Sequence, residues 1–179
     1  MIEAEFDQEL YAQIGFILEM LQFTEGAIMT AMHLALHEQG LSSINEYESL
    51  EGILKKMTLG RLLKKLRADV KLDSDFEDFA ESYLADRNEF IHRSFKLHDV
   101  DTPEGRQSML NLIYRLFKGS ERLTEIFVAV LVDWSGQAGF TVLNSLASAD
   151  PEAANYISTL KNESVPIARG VFQGYKEKK

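Results

Sequence analysis

The chain has 179 residues, 45% of them hydrophobic, with three prolines, no cysteine and a formal net charge of −9. That size predicts a single domain over residues 1–179, and the lack of cysteine excludes disulfides, a thiolate zinc site and a thiol nucleophile. The acidic balance does not mark an obvious nucleic-acid binder, so an RNA-binding surface would have to be a local basic patch.

No apolar run reaches the roughly 18 residues that a membrane span requires. The opening "MIEAEFDQEL" lacks the basic-then-apolar pattern of a secretory leader. The expectation is therefore a cytoplasmic protein with no membrane partner. In chain order, Leu10, Ile14, Ile17, Leu21, Ile28, Met32 and Leu36 recur at three- and four-residue spacing. They predict a long amphipathic helix over about residues 4 to 38, with Gly40 as a stop. "LSSINEYESLEG" reads as a connection. Thr58 is placed to cap a helix through "LGRLLKKLRAD", and Ser74 with Glu77 forms a capping box before a third helix over about 75 to 96. Thr102 and Pro103 open a fourth long helix carried by Met109, Ile113, Leu116, Leu123, Phe127, Val130 and Trp134. Asp150 and Pro151 repeat that signal for a short fifth helix, before a frayed tail "GYKEKK". No strand pair stands out. The expected fold is all-α: an antiparallel, up-and-down bundle of four long helices plus a short C-terminal helix.

Several residues fit poorly as core filling. His33 and His37 lie four apart on one helix face, but half a ligand set makes a weak metal signal, and they read as surface or rim histidines. No metal site is expected. Glu25 interrupts the apolar stripe of the first helix, either as a stripe edge reaching solvent or to orient an Arg or His from a neighbouring helix. "LKKMTLGRLLKKLR" is the strongly basic stretch. Its Lys55, Lys56, Arg61, Lys64, Lys65 and Arg67 form either a solvated face, paired in part with the following "DSDFED", or the cation patch that RNA would need. In "ESYLADRNEFIHRSF", Asn88 and His92 share a helix face, Arg87 lies beside them, and Glu89 and Arg93 are spaced to pair along the helix. A histidine moves protons near neutral pH, an arginine holds phosphate and an asparagine orients either group.

"RNEFIH" resembles the signature of the HEPN family: an Arg, usually followed by a polar residue, and then a His after four to six residues. The setting, late in the third helix of an all-α bundle, and the upstream "TLGRLLKKL" are also similar to that family. The resemblance spans roughly residues 5 to 135. It implies a homodimer and, in many members, a metal-independent, cofactor-free endoribonuclease of toxin–antitoxin, phage-defence or CRISPR systems. Other members are non-catalytic binding modules for proteins or nucleotides. Carried over, Arg87 and His92 are the catalytic pair and Asn88 the supporting polar residue, with RNA and, for a toxin, an antitoxin protein as partners. Arg61, Lys64, Lys65 and Arg67 are the expected RNA contacts. The family pattern gives Glu25, His33 and His37 no role. Cleavage without a metal needs a base for the 2′-hydroxyl, an acid for the leaving 5′-oxygen and positive charge on the phosphorane. Two motifs facing each other across a two-fold axis supply all three.

Overall fold

The computed structural model describes residues 2–35, 57–137 and 148–173. Helix α1 (Ile2–Leu34) buries Leu10, Ile17, Leu21, Thr24 and Ile28 along one stripe. In α2 (Leu59–Asp69) Leu59, Leu62, Leu63 and Leu66 face inward. Strand β1 (Lys71–Leu72) leads into α3 (Ser74–Leu97), and α4 (Pro103–Gln137) follows after a short turn. The C-terminal part holds α5 (Pro151–Thr159), a π-helical turn (Leu160–Ser164), α6 (Val165–Val171) and β2 (Phe172–Gln173).

The all-α bundle expected from periodicity is present. Phe16 meets Phe117, and Thr24 meets Thr124, so α1 and α4 run the same way. Helix α3 runs against α4, because Phe76 meets Phe127 and Asp86 pairs with Arg115. It also runs against α2, since Gly60 lies beside Leu84 and Arg67 pairs with Glu77. The up-and-down alternation therefore passes through α2, α3 and α4, with α1 laid alongside α4. α2, at 11 residues, is much shorter than α1, α3 and α4.

The helix starts follow local chemistry. Thr58 stands at the N-terminus of α2 without a side-chain cap bond. α3 is capped by Asp73, whose carboxylate accepts from the amides of Asp75 and Phe76, so Ser74 is not the cap but the first helical residue. Aspartate one position earlier offers the stronger acceptor and complements the helix dipole. Thr102 caps α4 by accepting the Gly105 amide at 3.1 Å, and Asp150 caps α5 by accepting the Glu152 amide at 2.9 Å. The fifth helix is longer than its sequence signal. It continues through the π turn into α6, with the Val165 amide donating to the Leu160 carbonyl just before Pro166, which has no N–H to give.

One small sheet was not expected. β1 pairs antiparallel with β2, Leu72 opposite Phe172, and the Asp73 amide donates to Val171. The pairing carries Phe172 into the core against Phe76 and Phe127, with ring centroids 5.7 and 5.3 Å away. Two-residue strands have no readable period. Burial of the Phe172 ring, worth about 1.5–3 kcal/mol, gives the pairing its tertiary support.

Candidate functional site

The site is built where α1 and α3 face each other over α4. Arg87 reaches from α3 to Glu25 on α1, and its Nε and Nη2 donate to Glu25 Oε1 at 3.1 and 2.9 Å. Its Nη1 donates to Asn88 Oδ1 at 3.4 Å. The two charged side chains are 18% and 28% exposed. Glu25 thus interrupts the apolar stripe of α1 because it holds an arginine from a neighbouring helix. A pair at this depth is screened less than a surface one.

Beneath the pair lies a hydroxyl network. Tyr83, one turn before Arg87, hydrogen-bonds Ser120 of α4 at 2.8 Å. Thr24, next to Glu25, donates to the Met20 carbonyl, so in its 3.1 Å contact with Thr124 the Thr124 hydroxyl is the donor. Burial raises the Tyr83 phenol above its ordinary value; the neighbouring Ser120 and Thr24 hydroxyls partly offset this, while the charges of Glu25 and Arg87 act in opposite senses. Gly119 makes room for the ring: a Cβ there would lie 2.4 Å from Tyr83 Cδ2.

His92 lies on the exposed part of α3 and hydrogen-bonds neither Arg87 nor Asn88. Five residues along a helix correspond to a rotation of about 140°, so Arg87 turns to α1 while His92 turns to solvent. Ile91, Phe95 and Leu97 are also exposed on the last turns of α3. Tyr11 and Leu18 are exposed on α1. Because α1 and α3 run in opposite directions, Leu18, seven residues before Glu25, lies toward the end of α3 that carries Ile91 and Phe95. The motif therefore sits beside an apolar surface.

The basic helix divides. Arg61 and Lys64 are exposed. Lys65 pairs with Asp69 at 2.7 Å, and Arg67 pairs with Glu81 at 2.8 Å and with Glu77 at 3.6 Å. Lys55, Lys56 and His37 lie outside the described residues. His33 is only 2% exposed, so it is a core residue of α1 and not a surface or rim histidine; the period of one helix does not reveal how many neighbours surround it. Among the described residues no group of three or more His, Cys, Asp or Glu could hold a metal, and no helix is long and apolar enough to cross a membrane.

Two further polar clusters escaped the sequence reading. Glu89 pairs not with Arg93 but with His98, which is 3.0 Å from it and 2.9 Å from Ser108 on its other ring nitrogen. His98 also closes α3, its amide donating to Ser94. A histidine just beyond a helix end was the available signal. Near the other end of the molecule, the buried Asp133 carboxylate accepts from Arg169 Nε and Nη2 at 3.0 and 2.6 Å. These clusters lock α3 to α4 and α6 to α4.

No family model matches this chain, and no curated protein or solved structure matches it either.

Proposed function

We propose that the protein is a metal-independent endoribonuclease that cuts single-stranded RNA by attack of a 2′-hydroxyl on the adjacent phosphate. The single observation behind this reading is the Glu25–Arg87–Asn88 arrangement: an arginine fixed by a carboxylate from another helix, four residues after the network tyrosine and five before a solvent-facing histidine. Arg87 would stabilise the charge on the phosphorane, Asn88 would orient the phosphate, and His92 would move protons. One protomer turns Arg87 and His92 to different sides of α3, so the reading requires a second copy across a two-fold axis, packed through the apolar surface beside the motif. Products would be a 2′,3′-cyclic phosphate and a 5′-hydroxyl. Arg61 and Lys64 on α2 would meet the RNA backbone.

A second reading has its own support. The charge of Arg87 is opposed by Glu25, and Lys65 and Arg67 are paired within the chain. That weakens the field on a phosphate and favours a non-catalytic homodimer that binds a protein or nucleotide. A fluorescent single-stranded RNA assay with EDTA present decides between them. Cleavage that survives EDTA and disappears in His92→Ala supports the enzyme. A dimer with no cleavage across varied RNAs supports the binding module.

A further inference from the structure

A guanidinium has five N–H bonds. Glu25 Oε1 takes one from Nε and one from Nη2, and Asn88 Oδ1 takes one from Nη1. Two remain, one on each terminal nitrogen, and a phosphate presents two oxygens able to accept them. Glu25 is fixed on α1 by the same stretch of helix that places Thr24 against Thr124, so the anchor moves only if the α1–α4 contact moves. Tyr83 and Ser120 fill the space below.

We infer that Glu25 is a positioning residue: it takes the Nε side of Arg87 and so leaves the two terminal N–H bonds as a preformed receptor for one phosphate group. Asn88 belongs to the same receptor. Its carbonyl oxygen faces Arg87, which leaves the amide nitrogen to donate to a third phosphate oxygen. The carboxylate of Glu25 has a second effect, because its negative charge opposes the approach of an anion. Receptor geometry and receptor affinity are therefore set by the same side chain in opposite senses. The catalytic part of this inference rests on the ribonuclease reading; the phosphate-binding part does not.

Two measurements on the full chain test it. In the first, the arginine Nε–H signals are followed by nitrogen-15 NMR during titration with inorganic phosphate, the Arg87 signal being assigned by its absence in Arg87→Lys. A saturable shift of the Arg87 signal is expected. In Glu25→Ala the signal is expected to broaden through faster exchange with water, while Glu25→Gln keeps a sharp signal because its amide oxygen still accepts. No phosphate-dependent shift at Arg87 in the wild type overturns the receptor. In the second, RNA cleavage is resolved into kcat and KM. Glu25→Ala should lose about 10- to 100-fold in kcat, the scale of misplacing a binding group by an ångström or so. Glu25→Gln should recover most of that kcat and show a lower KM, since the opposing charge is gone. A merely structural Glu25 would lower the melting temperature and leave the kcat and KM of the folded fraction alone. Wild-type kcat in Glu25→Ala, or equal losses in the Ala and Gln variants, defeats the positioning role while leaving the ribonuclease reading intact. A phosphate shift without RNA cleavage retains the receptor and defeats the ribonuclease reading.

Discussion

His92 and Tyr83 sit on the same helix and are expected to respond to substitution in opposite ways. His92 is exposed, so His92→Ala should leave thermal melts unchanged while reducing RNA cleavage by about 10²–10⁴, the usual weight of a proton-transfer group. Cleavage that persists in this variant would sink the mechanism. A suitable reference is Asn155→Ala, an exposed position on α5; His33 cannot serve, because its burial makes His33→Ala a test of packing. Tyr83 belongs to the fold. Its phenol is raised above the ordinary value chiefly by burial, so between the unfolded and folded pKa values the native state holds the proton that the unfolded chain has lost. The stabilisation is complete below about pH 10 and is lost as pH rises through the folded value. Urea melts from neutral to alkaline pH should therefore show a fall for the wild type that is shallower in Tyr83→Phe. At neutral pH that variant should lose about 1 kcal/mol with the Ser120 hydrogen bond. Of these residues, "RNEFIH" was readable as a unit because its chemistry is local. The partner of Arg87 was readable only as an anomaly in the stripe of α1, since which helices face each other is a tertiary outcome.

At the scale of whole helices, glycine positions separate propensity from packing. Gly119 of α4 lies under the Tyr83 ring, and an added Cβ would sit 2.4 Å from Cδ2 and 2.9 Å from Cε2. The ring cannot simply move aside while its hydroxyl holds Ser120. Gly119→Ala should thus cost about 1–3 kcal/mol by overpacking, despite the helix propensity gained. Gly15 of α1 is exposed, and a Cβ there meets nothing within 4 Å. Gly15→Ala should stabilise by roughly 0.5–1 kcal/mol. Chemical melts of the two variants should move in opposite directions; movement in the same direction would show that propensity alone governs both sites. The helices themselves were readable because apolar residues recur with their period and because Thr102–Pro103 and Asp150–Pro151 announce two starts. Other boundaries were decided by competition or by tertiary contact. Asp73 outcompetes Ser74 for the cap, and the bulge before Pro166 lets a nominally short helix continue to Val171. The β1–β2 pair depends on the Phe172 ring finding Phe76 and Phe127, which lie 96 and 45 residues earlier in the chain and which no local pattern encodes.

The whole molecule poses the question of assembly. Ile91 and Phe95 on α3, with Leu18 on α1, are large apolar side chains exposed toward the same end of the bundle as His92. Contiguous exposed apolar patches are characteristic of surfaces that meet a partner. The two-fold homodimer proposed above would cover them and bring two His92 and two Arg87 side chains to one groove. Light scattering at micromolar concentration should then give twice the chain mass of 20.3 kDa. Each copy carries a net charge of −9, so the copies repel at long range. Salt screens that repulsion, with a Debye length of about 10 Å at 0.1 M, and leaves apolar burial intact. Dimerisation should therefore strengthen, not weaken, between low and moderate ionic strength. The double substitution Ile91→Glu with Phe95→Glu places two further carboxylates on the proposed surface. Both positions are exposed, so the variant should retain its helical circular dichroism while scattering as a monomer. Because the reading needs both copies at one phosphate, that monomer should also be inactive on RNA, and mixing His92→Ala with Arg87→Lys protomers should restore part of the activity if each supplies what the other lacks. A wild type that is monomeric throughout the micromolar range, or a charged variant that stays dimeric, would remove this surface from the assembly and the composite site with it.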